Sequence, residues 1–427
     1  MKILVVGSGG REHAIIRALK KSPKAEMIYA LPGNGGMAAD AICVEGSATD
    51  IDRVVSFSKE NGIDFVVVAP DNPLVLGMVD ALNEAGIATF GPRANAAILE
   101  GSKVFSKNLM KKYNIPTARY ETFDEASAAN SYIEEMGEYP VVIKADGLAL
   151  GKGVIIAKDF SEAQDAVKSI MEDKAFGASG NHIVVEQFLE GVEVSVLAFT
   201  DSKTVKPMIS SMDHKRVGDN DEGLNTGGMG TIAPNPHYTE SIAAECMETI
   251  FLPTIRAMEQ EGRPFKGCLY FGLMLTKNGP YVIEYNCRFG DPETQVVLPL
   301  LESDLLEIML ATYHETLADL EIRWSDKSAA CVILASGGYP VKYQTGYEIQ
   351  GLDANGQCEG AVVYHAGTKQ IDGKYLTAGG RVLGITCTGN TLKSALEAAY
   401  DAVKTISFTD MHYRHDIGKK ALSPEKF

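Results

Sequence analysis

The chain has 427 residues, 45% of them apolar and 22% charged, with a formal net charge of −16. That length and composition are ordinary for a folded globular protein with room for several cores. The acidic balance argues against a nucleic-acid partner, which needs a basic footprint, and no apolar run approaches the length of a bilayer span. The seven cysteines are widely spaced with no CxxC, so reduced thiols and a cytoplasmic setting are expected, not disulfides or a zinc cluster.

Apolar runs stand at Ile3–Val6, Met27–Ala30, Phe65–Ala69 and Ala88–Phe90, each followed by a glycine- or proline-containing turn and a helix-like stretch. They predict βαβ units around a parallel sheet. The opening run breaks into glycines at once, unlike a signal peptide. The turn after it, Gly7-Ser8-Gly9-Gly10-Arg11-Glu12-His13, puts glycines at a helix N-terminus, where backbone can approach an anion. A dinucleotide site is disfavoured, because Glu12 stands where GxGxxG has its third glycine and the second strand ends without an acid for a ribose. A phosphate-bearing small substrate fits better, with a plain strand–helix turn as the alternative. A first boundary is expected near Glu100-Gly101-Ser102.

Beyond it, Val141–Lys144 and Ile183–Phe188 read as strands, 192–199 and 204–210 as a further pair, and Leu269–Thr276 with Tyr281–Asn286 as a hairpin. Lys144 closes a buried strand, and the glycine-rich stretch Gly147–Gly153 follows it. Such a lysine can reach phosphate oxygens, and such a turn can fold over a triphosphate. The stretch is no Walker A loop, since Gly153 stands where that motif needs Ser or Thr. Lys103 is a second candidate for phosphate; solvated lysines beside a glycine hairpin are the bland alternative. After Val185–Phe188, backbone can meet an adenine edge and Glu193 can accept from ribose hydroxyls. Asp213-His214-Lys215-Arg216 and Asn225-Thr226-Gly227-Gly228-Met229-Gly230 read as ligand-wrapping loops. Lys215 and Arg216 are candidate clamps there. His214 is a candidate base, although a lone histidine is more often structural.

The most informative segment is Tyr281–Glu293. Strand alternation puts Glu284, Asn286 and Arg288 on one face and Tyr281, Ile283 and Tyr285 on the core face. A carboxylate beside an amide oxygen suits a hard cation, Mg²⁺ or Mn²⁺, and Arg288 can fork onto a carboxylate. A polar exposed face is the alternative. Ser303–Leu317 reads as a helix. From about Asp326, strands are expected at Ala329–Ala335, Gly346–Ile349, Ala361–His365 and Arg381–Cys387, then a helix at Leu392–Lys404.

In this order, GSGGREH, LEGSK, VVIKADGLALGKGV, DHKRVGD, NTGGMG, IEYNCRFGDPETQ, HAGT and GGRV resemble the ATP-grasp ligases, most closely the phosphoribosylamine–glycine ligase family. The resemblance implies an α/β multidomain fold: a Rossmann-like pre-ATP-grasp domain over 1–102, an ATP-grasp domain over 103–325 with a mobile lid at about 118–192, and a small β-rich domain over 326–427. It implies a ligase of purine biosynthesis that joins glycine to 5-phosphoribosylamine through glycyl phosphate, with ATP as co-substrate and a divalent metal. Its partners would be these small molecules alone, and a monomer is compatible with the pattern. Other ATP-grasp ligases or carboxylases, or a non-catalytic nucleotide-binding regulator, share part of it.

Carried over by position, Glu284 and Asn286 match metal ligands, and Lys103, Lys144, Gly151, Lys152, Gly153, Glu186, Phe188 and Glu193 match ATP contacts. Gly9, Gly10, Arg11, Glu12, Asp71, Asn225, Thr226, Gly228, Asp291 and Glu293 match substrate contacts, and Arg288, Lys215 and Asp213 match catalytic positions. Cys287 is expected to pack, since ATP supplies the activation. Ser8 departs from the family's usual Asn, and Ala69-Pro70-Asp71 from Gly-Pro-Glu. The strand Leu269–Leu275 lacks the acid that many ATP-grasp enzymes carry there, so further metal ligands would be phosphate, water or a loop acid such as Asp291 or Glu293.

Overall fold

The computed structural model describes residues 1–148 and 153–422. Five parallel strands open the chain: β1 (Lys2–Gly7), β2 (Met27–Pro32), β3 (Ile42–Cys43), β4 (Phe65–Val68) and β5 (Ala88–Phe90), in the order β3-β2-β1-β4-β5. Ile3 to Val6 are fully buried, as in a parallel sheet covered on both faces. The short edge strand β3 exposes both its residues, which is why no apolar run marks it. Strand order reverses between β1 and β4. The Gly7–Gly10 turn and Asp71 therefore meet at the carboxyl ends of neighbouring strands, where open α/β sheets bind ligands.

Next comes an antiparallel sheet, order β6-β9-β7-β8, from β6 (Tyr120–Phe123), β7 (Val141–Ala145), β8 (Val154–Ala157) and β9 (Ile183–Gln187). It has its own core, including Ile133, Val141, Ile143, Ile170 and Val185. Strands β10 (Val192–Asp201), β11 (Val205–Pro207), β12 (Met212–Asp213), β13 (Gly230–Ala233), β14 (Lys266–Thr276) and β15 (Gly279–Asn286) follow. Four of them form the sheet β11-β10-β14-β15. The strand expected over 204–210 is thus only three residues long.

The last segment supplies β16 (Ser328–Ser336), β17 (Val362–His365), β18 (Thr368–Ile371), β19 (Lys374–Thr377), β20 (Arg381–Gly389) and β21 (Met411–His412). Its main sheet, β12-β13-β16-β20-β17, borrows two strands from the central segment. The helix Leu392–Val403 packs on β16 and β20 through Ala395, Leu396 and Ala399. The strand expected at Gly346–Ile349 is reduced to an isolated antiparallel bridge, Glu348 opposite Leu376. Tyr347 gives its N–H to the Thr377 hydroxyl, so the segment lies along β19 without a regular ladder. The helix expected at Ser303–Leu317 runs Leu305–His314, capped by Asp304 and ended by left-handed Glu315.

Ile3 and Val5 of β1 share one core with Leu197 and Phe199 of β10, Cys268 and Tyr270 of β14, and Cys331 of β16. That common core fixes the first turn against the end of β15. Among the described residues no helix is long and apolar enough to cross a membrane, and all seven cysteines are free.

Candidate active site

The end of β15 corrects the simple alternation. Val282 and Tyr285 are the core residues, 0% and 4% exposed, while Tyr281 and Ile283 are half-buried. Leu273 faces Val282 and its neighbour Gly272 faces Glu284, so Ile283 is an extra, bulged residue. A bulge shifts every later side chain to the opposite face. Without it Glu284, two residues after buried Val282, would enter the core. Gly272 clears the space, since a Cβ there would stand 2.9 Å from Glu284 Cγ. The bulged Ile283 carbonyl accepts from Lys144 Nζ at 3.1 Å. The strand stops at Asn286, yet Arg288 Nη2 still reaches back to Asn286 Oδ1 at 2.9 Å.

One wall of the cleft is a lattice of lysines. Lys144 Nζ lies 2.9 Å from Glu186 Oε1, and Lys107 Nζ lies 2.8 Å from Glu186 Oε2 and donates to Thr117 Oγ1 at 2.7 Å. Burial opposes ionisation of Glu186, but the two lysines outweigh it and hold the carboxyl below its usual range. Burial pushes the Lys107 ammonium down to about 8. Lys107 escaped the sequence reading, although it sits four residues after Lys103 on one helix face. Lys103 donates to the Gly147 carbonyl at 2.8 Å, and burial lowers its pKa while Glu284 opposes that. Gly153, at the far end of the glycine-rich turn, accepts from Ala145 N at 2.8 Å; Gly151 and Lys152 lie outside the described residues. The backbone of Glu186 is enclosed between β6 and β7. An open backbone edge begins only past Gln187, near half-buried Phe188.

Lys215 joins this wall to the metal-like strand end. Its Nζ lies 3.3 Å from Glu193 Oε2 and 3.5 Å from Glu284 Oε1. Glu193 and Glu284 hold the ammonium well above its ordinary pKa despite burial. Burial would raise Glu284, but Lys215, Lys144, Lys103 and Arg288 keep it below its usual value. It is an ionised carboxylate with Lys215 at 3.5 Å and three further cations near enough to act on its charge.

The opposite wall consists of matched pairs. Arg11 Nε donates to Glu12 Oε1 at 2.5 Å and its Nη1 to the Phe289 carbonyl at 3.1 Å. Glu12, expected to meet substrate, is 1% exposed; its other oxygen accepts from Gly9 N at 2.6 Å, so both are occupied at the start of the Gly10–Leu19 helix. Arg288 Nη2 pairs with Glu100 Oε1 at 2.9 Å, and Asp71 adds its charge nearby. Asp291 is held by Arg381 Nη2 at 3.2 Å and by Gln295 Nε2 at 2.7 Å. Glu293, 4% exposed, accepts from Ser195 Oγ at 3.4 Å. Burial, with Glu293 nearby, pushes the Asp213 carboxyl well above its usual range, and burial raises Glu293 as well.

The second ligand-wrapping loop closes this wall. Thr226 Oγ1 donates to the Lys215 carbonyl at 2.8 Å, and Asn225 bridges Arg216. Gly228 has φ +112°, and a Cβ there would stand 2.4 Å from Pro292 Cδ and 2.6 Å from Asp213 Oδ1, so only glycine fits. His214 is no base. It is 6% exposed, its Nδ1 donates to the Gly230 carbonyl, its Nε2 accepts from Gly418 N, and burial lowers it to about 4. Cys287 is a packing residue whose thiol burial pushes up. Glu100, Lys107 and Arg381 are site residues that the sequence reading did not single out.

Among the described residues no three His, Cys, Asp or Glu side chains cluster as a metal cage. Glu284 and Asn286 supply one carboxylate and one amide oxygen. That donor set fits a hard divalent cation that takes its remaining ligands from phosphate and water. Asp291 and Glu293 are tied to other partners.

The chain matches the phosphoribosylglycinamide synthetase N domain over residues 1–100, its ATP-grasp (A) domain over 101–294 and its C domain over 329–420. A phosphoribosylamine–glycine ligase of Caldanaerobacter subterraneus subsp. tengcongensis is 50% identical over 417 residues, covering 98% of this chain and 99% of that one. The crystal structure of phosphoribosylamine–glycine ligase from Thermotoga maritima superposes with a TM-score of 0.86 at 34% identity, covering 98% of this chain and 100% of that one. The biotin carboxylase domain of Hydrogenobacter thermophilus 2-oxoglutarate carboxylase, solved with MgADP and bicarbonate, shares the fold. Its TM-score is 0.75 at 18% identity, covering 96% of this chain and 91% of that one.

Proposed function

We infer, from a chain that belongs to the phosphoribosylglycinamide synthetase family, that this protein joins glycine to 5-phosphoribosylamine in an ATP-dependent step of purine biosynthesis. The products are glycinamide ribonucleotide, ADP and phosphate. The observation that carries the site assignment is Glu284, ionised and facing Lys215, Lys144, Lys103 and Arg288. A carboxylate so surrounded suits a cleft where a metal and a triphosphate gather.

A glycine carboxylate oxygen attacks the γ-phosphorus and ADP leaves, giving glycyl phosphate. The amine of phosphoribosylamine then attacks the acyl carbon, phosphate leaves and the nitrogen gives up a proton. Lys144 and Lys103 hold phosphate oxygens, while Lys107 stays behind to balance Glu186. Glu284 and Asn286 hold Mg²⁺ or Mn²⁺, which when bound neutralises phosphate charge. The buried Arg288 Nε has no hydrogen-bond partner among the described residues; it is a donor ready for the glycine carboxylate. Asp213, whose pKa burial and Glu293 raise, is the acid assigned to receive the amine proton. Glu193 receives the ribose hydroxyls. Arg11, the Gly9–Gly10 backbone and Asp71 line the phosphoribosylamine side. Seven free thiols fit a reducing cytoplasm.

The test is a coupled ADP-release assay with glycine and freshly made phosphoribosylamine, in Mg²⁺ or Mn²⁺. Release should require glycine and should not occur with bicarbonate in its place. ADP release indifferent to glycine overturns the reading.

A further inference from the structure

Asp213 and Lys215 sit at the start of a loop that is closed by its own Val217–Leu224, Gly218–Glu222 and Thr226–Lys215 backbone bonds and is fastened from outside as well. Asn220 and Asp221 have φ of 57° and 58°, two successive left-handed residues that are not glycine. Asn and Asp adopt that conformation more readily than other side chains, and surroundings can hold it in place. Here the surroundings are the segment 412–418, far along the chain. Arg414 is 1% exposed. Its Nη1 donates to the Arg216 carbonyl at 3.1 Å and to Asp221 Oδ1 at 2.8 Å, and its Nε and Nη2 fork onto Asp416 at 2.8 and 2.9 Å. Asp416 Oδ2 in turn accepts from Asn220 N at 2.8 Å.

The rest of the segment repeats the pattern. His412 Nε2 meets the Val217 carbonyl at 2.7 Å, His415 N donates to Asp219 Oδ1 at 2.7 Å, and Gly418 N donates to His214 Nε2 at 3.1 Å. The loop is thus held at residues 214, 216, 217, 219, 220 and 221 by one strap. Lys215, between the held residues 214 and 216, instead turns its side chain to Glu193 and Glu284.

We propose that Arg414 is a positioning residue of the reaction: by clamping residues 216–221 it sets where Lys215 Nζ stands between Glu193 and Glu284. The inference rests on the ligase reading above. A small displacement of a charge that aligns reactants can cost about 100-fold in rate.

The experiment compares five full-length variants, four single and one double, with the parent chain in the glycine-dependent assay. Arg414→Gln should lower kcat about 100-fold, with KM for ATP close to the parent's. Lys215→Met should lower kcat as well, and adding Arg414→Gln to it should do nothing more, because residues that act as a unit are not additive. Asp221→Asn removes the ion pair but keeps a residue that tolerates the left-handed turn. It should show the same split in smaller measure, and it carries the test should Arg414→Gln not fold. Val403→Ala, in the buried face of the Leu392–Val403 helix, should lower the melting temperature without lowering kcat. Parent-like turnover in Arg414→Gln or Asp221→Asn overturns the inference, as does an additive effect with Lys215→Met. So does a kcat loss in Val403→Ala that scales with its loss of stability. No glycine-dependent turnover in the parent chain overturns the ligase reading, and this inference with it.

Discussion

The two walls of the cleft carry charge in opposite ways. On the nucleotide side, Lys107 and Lys144 share a single buried carboxylate, Glu186, Lys103 donates to the Gly147 carbonyl, and burial depresses Lys103 and Lys107. On the substrate side, each arginine already has a carboxylate: Arg11 has Glu12, Arg288 has Glu100 and Arg381 has Asp291. Asp213 and Glu293 are left over, with raised pKa values. An excess of buried cations is costly until an anion arrives, which suits the first wall to the polyanion proposed for it. The second is balanced in its ion pairs and keeps two acids whose pKa values burial raises. Lys215 and Glu284 stand where the two meet.

The largest effect should come from the meeting point. Glu284→Ala removes the ionised carboxylate and should lower metal-dependent turnover about 1000-fold, with thermal melting near the parent's. Near-parental activity would show that the strand end holds no metal. On the balanced wall, Arg288→Lys keeps the charge but loses the fork that spans Glu100, Asn286 and the substrate. It should cost about 100-fold in kcat/KM for glycine, and unchanged glycine kinetics would break the pairing scheme. On the cationic wall, Lys107→Met leaves Lys144 as the only cation on Glu186, so Lys144 is less free for phosphate. KM for ATP should rise about ten-fold, measured against an unchanged KM for glycine.

The smallest effect concerns stability. His214 has a folded pKa of about 4 against 6.5 for the free side chain. Above the unfolded value both states are neutral. As pH falls from about 6.5 to about 4, the unfolded chain takes up a proton that the folded one refuses. Stability should therefore fall by about 3 kcal/mol across that window and then level off as far as His214 is concerned. Urea unfolding at several pH values should show a shallower acid slope in His214→Gln.

Much of the frame was legible. The β1 run with its glycine turn, Lys144 at the end of β7 and the Glu284–Asn286 pair are local patterns. Each depends on residues a few positions apart, and so does their periodicity. The missed features share another trait. Glu100 pairs with Arg288, Arg381 with Asp291, and Arg414 with Asp221. Such partners are set by packing of distant segments, which no local spacing records. Even the face taken by Glu284 was reached for an incomplete reason, since it depends on the bulge at Ile283 across from β14.

By itself, the sequence determined that this is an α/β chain with a parallel opening sheet, a lysine at the end of a buried strand, and a carboxylate and an amide on one strand end. Local side-chain chemistry and strand periodicity suffice for that. Only the tertiary structure decided which charges are balanced and which are not. Burial and ion pairing act through distances between segments, and they made His214 a neutral anchor, Glu12 a turn residue and Lys107 a buried cation. They also tied the loop of Lys215 to the far end of the chain.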